Sequence, residues 1–184
     1  MNLHILKVGG KVIDDLTLLK PILTAFLQKE GFKIIVHGGG KKASELSDKL
    51  GITVQMVNGR RITDAAALEV ATMVYAGLFN KQIVALIQTL GGNALGLSGA
   101  DGNVILAHRR PVKEIDYGWA GDINADEIKS KTWQLFLENG LTPVVAPLTH
   151  DGKGFMLNTN ADTIASLLSI SLSKYYDASL IFCF

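Results

Sequence analysis

With a single cysteine, Cys183, the 184-residue chain has no internal disulfide framework, and no Cys/His group has zinc-ligand spacing; a reducing cytoplasm is the expected compartment. Charge of one sign is missing too. The 18 basic and 17 acidic side chains leave a formal net charge of +1, which excludes the basic field of a nucleic-acid binder and an acidic tail. No uninterrupted apolar run reaches transmembrane length, and the N-terminus enters a strand-like pattern without a signal peptide's charged region and cleavage site, so no membrane partner is expected. Repeats and low-complexity tracts are also lacking. What the chain does have is 48% hydrophobic residues and 19 glycines, enough to bury a sizeable core in one domain or a little more.

The glycines are placed with purpose. Ile34-Ile35-Val36-His37 reads as a buried strand that breaks into Gly38-Gly39-Gly40 and then into a helix. Such a junction aims bare N–H groups and the positive end of the helix dipole at an anion. A second junction, Leu6-Lys7-Val8-Gly9-Gly10, adds a lysine. With a helix between the two strands they are expected to pair in parallel, which brings both turns to one sheet edge, where open α/β sheets bind ligands. Neither Gly-x-Gly-x-x-Gly nor a Walker motif is present, so a dinucleotide-dependent oxidoreductase is disfavoured. A lone glycine turn is often only a tight connection; two of them with Lys7 favour a phosphate site.

In order, the pattern predicts a strand over Leu3–Val8, then a helix bearing Leu19, Ile22, Leu23, Phe26 and Leu27, capped by Asp15 or Thr17, with Pro21 in its first turn. A strand over Lys33–Val36 follows, then a helix over Lys41–Leu50 with Ala43, Leu46 and Leu50 on one face and Gly51 at its end. Asn58-Gly59 is a hairpin signal whose returning arm is Arg60-Arg61-Ile62-Thr63. Thr63 is expected to cap a helix through Leu78, with Leu68, Ala71, Val74, Tyr75 and Leu78 as its apolar stripe, and Asn80 to mark a bend before a helix over 81–90. Strands are expected over Ala94–Leu97, Val104–Ala107, around Val112–Ile115 and over Val144–Ala146, with a helix from Ala125 to Asn139 capped by Asn124. Asp151-Gly152 reads as a second hairpin turn, and Asn158 or Asn160 caps a helix bearing Ile164, Leu167 and Leu168. The final run, Ser179–Phe184, is strand-like and stops without a turn or polar tail, the expectation being a truncated chain.

Four motifs in sequence, Lys7-Val8-Gly9-Gly10, Val36-His37-Gly38-Gly39-Gly40, Asn58-Gly59-Arg60-Arg61-Ile62-Thr63 and Asn158-Thr159-Asn160-Ala161-Asp162, resemble the amino-acid kinase family and most closely its acetylglutamate kinase branch. The resemblance runs along essentially the whole chain. It implies a three-layer α/β/α sandwich with a mainly parallel central sheet, in which residues 1–184 form an acylglutamate-binding N-terminal lobe plus the start of the ATP lobe. It also implies phosphorylation of the γ-carboxylate of N-acetyl- or N-succinyl-L-glutamate to an acyl phosphate in arginine biosynthesis, using ATP and the Mg²⁺ its phosphates carry. A homodimer is expected, no helical extension preceding Met1. The family's second catalytic lysine and adenine-binding segment are not in these residues, so this chain is expected to be poorly active.

By the same resemblance Lys7 contacts the transferring phosphoryl group, with Gly9, Gly10, Gly38, Gly39 and Gly40 as an anion cradle. Arg61 holds the substrate's α-carboxylate, for which its planar fork is suited, and Asn158 binds the amide or carboxylate region. Asp162 organises the catalytic lysines. Asn160 is read as a helix cap, Arg60 as a solvated arm, His37 as a satisfied structural histidine, and Asp101, Asp116 and Asp122 as turn residues rather than metal ligands. Two other readings stay open at this point: another carboxylate or carbamate kinase of the same fold, and a non-catalytic ligand-binding module.

Overall fold

The computed structural model describes residues 1–57 and 60–184; the predicted hairpin turn at Asn58-Gly59 lies outside the described residues. A five-stranded parallel sheet forms the centre, from β1 (Asn2–Val8), β2 (Phe32–His37), β5 (Ala94–Leu97), β8 (Thr142–Val145) and β11 (Asp177–Cys183), in the order β11-β1-β2-β8-β5. Side-chain alternation along a strand explains its burial on both faces. Leu3, Ile5, Ile34 and Val36 join one core with α6 (Ser130–Glu138) and α7 (Ala161–Leu172), whereas Leu6, Val8 and Ile35 join another with α2 (Leu16–Leu27) and the long helix that starts at Ala65. The result is the expected three-layer sandwich. A second, four-stranded sheet, β6 (His108–Arg109), β7 (Ala120–Asp122), β10 (Met156–Thr159) and β9 (Leu148–His150), flanks the first.

Several local expectations are corrected. A short helix, α1 (Gly10–Ile13), intervenes before α2, whose Asp15 cap accepts from Thr17 N–H at 2.8 Å; Pro21 therefore falls in the second turn, where it forfeits a helical bond on an exposed face. In α3 (Gly40–Lys49) Ala43 is buried but Leu50 is exposed, and Ser47 takes the buried position instead. Asp64, not Thr63, caps the long helix, accepting from Ala67 N–H at 2.8 Å, because Thr63 is committed elsewhere. That helix does not bend at Asn80. It runs as α4 (Ala65–Ala71), a π-helical segment (Thr72–Phe79) and α5 (Asn80–Thr89), and Asn80 is buried within it. At 25 residues, with an 18-residue window of mean hydropathy 1.4, it is long and apolar enough to cross a membrane, although interrupted by polar residues; here Val70, Val74, Ile83 and Ile87 pack it onto the sheet.

The region around Val112–Ile115 is not a strand; β6 carries that pairing, and Val104–Ala107 makes isolated bridges only. Asn124 closes a capping box with Glu127 on a single 3₁₀ turn, and α6 begins five residues later than predicted, at Ser130. The Asp151-Gly152 hairpin joins β9 to β10 as expected, and Asn160, by accepting from Thr163 N–H at 2.9 Å, is the cap of α7.

Candidate functional site

Both glycine turns emerge at one edge of the sheet, since Val8 of β1 stands in register with His37 of β2. They meet there. Gly38 N–H donates to Val8 O at 3.0 Å, and a methyl placed on Gly10 would lie 3.8 Å from the Gly39 nitrogen. Gly39 has φ +144°, a region L-residues avoid, and a methyl on it would meet the Phe79 ring at 2.6 Å. The turn is thus pressed against the π-helical segment, and α3 starts at once with Gly40.

Beneath the turn lies a buried polar set. His37, fully buried, donates from Nδ1 to Gly38 O at 2.8 Å, and Asn80 Nδ2 faces its Nε2 at 3.3 Å while donating to Val144 O at 2.8 Å. The tautomer follows from these partners: a carbonyl accepts only from a protonated Nδ1. Burial pushes the His37 pKa down to about 4, against a weaker opposing contribution from the Gly38 bond, so the ring is neutral and structural, as read from the sequence.

A cleft of about 430 Å³ opens over this edge. Its walls include Gly38, Gly39 and Gly40, with Arg61 from β4 (Arg60–Arg61), Tyr75 from the π-helical segment, and Asn158, Thr159 and Asn160 from β10 and the start of α7. Arg61 is 8% exposed and does not wave in solvent; β4 pairs with β3 (Met56–Val57), and Nη2 donates to Gly40 O at 3.0 Å and Ser44 Oγ at 2.7 Å. Those bonds fix the guanidinium plane and leave further N–H groups for a ligand. Asn158 Nδ2 donates to Thr63 Oγ1 at 3.1 Å, which leaves the amide oxygen available. Thr63 is fully buried, and its hydroxyl also donates to the Arg61 main-chain carbonyl at 3.1 Å, so one hydroxyl ties the Asn158 side chain to the backbone of the arginine-bearing strand.

Lys7 lies beside the cleft rather than in its lining. As an odd-numbered residue of β1 it shares a face with Leu3 and Ile5, the face covered by α7, and its ammonium pairs with Asp162 Oδ1 at 2.8 Å in the first turn of that helix. The Lys7 side chain is 8% exposed and Asp162 47%, so the pair reaches solvent on the acidic side. The same ammonium sits 4.3 Å from the centre of the Phe184 ring. Gly9 N–H is already engaged by Cys183 O at 2.7 Å and Gly38 N–H by Val8 O at 3.0 Å, so of the five predicted cradle glycines these two have their N–H groups spent on the sheet.

These features, a glycine-rich parallel sheet edge, an arginine-bearing hairpin and a capped Asn-x-Asn-Ala-Asp helix start, span the chain, and the model described as the amino acid kinase family matches residues 2–181. The chain belongs to the amino acid kinase family. Among curated relatives, the acetylglutamate kinase of Phocaeicola vulgatus is 52% identical over 183 residues, covering 100% of this chain and 70% of its own length. The acetylglutamate kinase of Cytophaga hutchinsonii is likewise 52% identical, over 184 residues, covering 100% of this chain and 69% of its own. A solved N-acetylglutamate synthase from Neisseria gonorrhoeae, complexed with coenzyme A and N-acetyl-glutamate, superposes with a TM-score of 0.77 over 92% of this chain and 39% of that one; at 22% identity it speaks to the fold alone.

Within this amino acid kinase fold the predicted Gly38, Gly39, Gly40, Arg61 and Asn158 converge on one cleft, and Lys7 and Asp162 pair next to it. Arg60 departs from its reading as a solvated arm: it is partly buried, lines the cleft and lies 3.8 Å from Asp122. Asp122 itself forks onto Arg110 at 2.6 and 3.0 Å, Asp101 accepts from Ser98, and Asp116 accepts from Gly118 N–H, so these carboxylates serve turns and ion pairs. Sequence reasoning missed Ser44, Thr63 and Tyr75. Ser44 was findable, four residues beyond Gly40 and so above it on the helix, and a tyrosine inside an apolar stripe signals a hydroxyl in need of company.

Proposed function

We propose that the chain is an acetylglutamate kinase type phosphotransferase, which transfers the γ-phosphoryl group of ATP to the γ-carboxylate of an N-acyl-L-glutamate, acetyl or succinyl, as a step of arginine biosynthesis. The observation that carries the proposal is the 52% identity to curated acetylglutamate kinases along the whole chain. The cleft is consistent with it. A substrate carboxylate with an ordinary pKa of about 4.3 is ionised at neutral pH, so attack on phosphorus needs no general base. What it needs is cancellation of charge between two anions, and positioning with electrostatic stabilisation is how phosphoryl transfer is catalysed.

In this reading Arg61 takes the α-carboxylate and Asn158 the acyl-amide region, which turns the γ-carboxylate toward the N–H groups of Gly39 and Gly40 and toward Gly10. Lys7, held by Asp162, meets the phosphoryl oxygens. Among the described residues no group of three or more His, Cys, Asp or Glu side chains fits a dedicated metal site, so the Mg²⁺ expected with ATP has no protein cage there and no step is derived through it. A cytoplasmic homodimer is part of the same reading.

The test is acyl-phosphate formation by the full-length gene product, trapped with hydroxylamine, with ATP and a panel of N-acetylglutamate, N-succinylglutamate, carbamate and aspartate. Product from an acylglutamate alone is expected. Product from carbamate or aspartate instead assigns a different branch of the family, and nucleotide-independent binding without product in the full gene product assigns a ligand-binding module. Arg61→Ala is expected to weaken acylglutamate binding about 30-fold, a loss of roughly 2 kcal/mol for a charge-assisted contact, with the fold retained.

A further inference from the structure

The geometry points to Tyr75 as a second donor to the carboxylate that Arg61 receives, a contact that deepens the acylglutamate reading and rests on it. By sequence Tyr75 belongs to the apolar stripe of the long helix. Its ring does pack inward and only 5% of the residue is exposed, yet it lines the cleft. The cause is the π-helical segment Thr72–Phe79, whose wider turns are rare and concentrate at functional sites. The segment seats two rings against the glycine turn. A methyl on Gly39 would meet the Phe79 ring at 2.6 Å and the Tyr75 ring at 3.3 Å, and a methyl on Gly40 would lie 3.9 Å from the Tyr75 hydroxyl. The phenol therefore ends at the cleft, beside Gly40 and next to the guanidinium of Arg61.

Chemistry then fixes its role. Burial raises the pKa of the phenol, and the neighbouring Arg61 offsets only part of that, so the hydroxyl keeps its proton at neutral pH. A guanidinium has donors and no acceptor, so toward Arg61 the Tyr75 oxygen is an acceptor and its own proton is directed elsewhere. Arg61 has already placed Nη2 on Gly40 O and Ser44 Oγ. A carboxylate laid on the remaining N–H groups of Arg61 comes within the phenol's reach and accepts its O–H, a charge-assisted bond of the stronger kind. Tyr75 is thus a specificity residue for ligands with a carboxylate at that end, and it discriminates against analogues that lack it.

The test uses Tyr75→Phe, which keeps the ring against Gly39 and removes only the oxygen. Binding to the unmodified chain and the variant is measured by calorimetry for N-acetyl-L-glutamate and for 4-acetamidobutyrate, the same molecule without its α-carboxylate, with thermal unfolding as a check on the fold. The expected result is a roughly 10-fold loss for N-acetylglutamate and no change for 4-acetamidobutyrate, so that discrimination between the two falls by the same factor. An equal loss for both ligands, or no loss for either, overturns the assignment, because a role in pocket shape or folding does not distinguish them. Failure of the unmodified chain to bind N-acetylglutamate overturns the functional reading, and this one with it.

Discussion

One wall of the cleft presents backbone, Gly38 to Gly40, and the wall adjoining it presents side chains, Arg61, Tyr75 and Asn158. The backbone wall is set from below: Phe79 presses on Gly39, His37 holds Gly38 O, and Asn80 holds His37. It presents N–H dipoles that any anion satisfies, and no rotamer is frozen to make it. The side-chain wall is set laterally. Each long side chain is pinned by a neighbour, Arg61 by Gly40 O and Ser44, Asn158 by Thr63. The first wall suits recognition of charge and the second recognition of one molecule, which is the division a kinase for a small acid requires.

Lys7 belongs to neither wall, and its removal separates them most sharply from the chemistry. Lys7→Ala is expected to lower phosphoryl transfer by about 10²–10³, as loss of a transition-state charge contact does, while binding of the acylglutamate changes by less than about 3-fold. Rapid-quench formation of acyl phosphate beside calorimetric binding reads the two effects. A fall in binding that matches the fall in rate would place Lys7 in the ground-state pocket instead.

The backbone wall breaks next. Gly39→Ala demands a methyl at φ +144° within 2.6 Å of the Phe79 ring, and backbone strain plus overpacking together destabilise by about 3 kcal/mol. Gly40→Ala is the internal comparison, since its methyl meets only the Tyr75 hydroxyl at 3.9 Å and it sits in ordinary helical backbone. Urea unfolding should show a large shift for the first and one of a few tenths of a kcal/mol for the second. Equal shifts would mean that the turn is not set by what lies beneath it.

The buried histidine gives the backbone wall a pH signature. Its folded pKa of about 4 lies below the ordinary 6.5, so the fold favours the neutral ring, and that stability is present above pH 6.5 and lost as pH falls toward 4. Between pH 7 and pH 5 the loss amounts to about 2 kcal/mol. His37→Asn, whose amide can still donate to Gly38 O, should flatten the slope of stability against pH in that interval, and the difference between the two proteins cancels the carboxylates common to both. An unchanged slope would mean that His37 takes up its proton in the fold as readily as in the unfolded chain.

The two walls were also unequally legible. Gly38 to Gly40 could be read at sight, because three glycines between a β-branched run and a helix have few uses, and the parallel sheet followed from strand-helix-strand order. Arg61 and Asn158 became legible only through the family motif, since nothing in a two-arginine hairpin arm says which of Arg60 and Arg61 turns inward. The end of the long helix's stripe was misread because helical periodicity assumes a regular 3.6-residue helix, and the π-helical segment re-aims it, so that Leu78 is exposed and Phe79 buried; the cap fell to Asp64 because the Thr63 hydroxyl is committed to Arg61 O and Asn158. Local pattern gives the elements; where one element's side chain meets another's 20 or 95 residues away is tertiary information.

The smallest expected effect is the most direct test of how the side-chain wall is set. Thr63 is fully buried, donates to Arg61 O and accepts from Asn158 Nδ2, so its hydroxyl is the point at which two cleft residues share one support. Thr63→Val keeps the shape and removes that oxygen, leaving the Asn158 amide without this partner and free to turn. A neutral hydrogen bond of this kind is worth about 1 kcal/mol, so acylglutamate binding should weaken about 5-fold, and Thr63→Ser should restore it. If Arg61 and Asn158 act as one unit through Thr63, the Thr63→Val loss shrinks when Asn158 is first changed to Ala; a full loss in that background would show that Thr63 supports Arg61 alone and that the wall is two independent contacts rather than one.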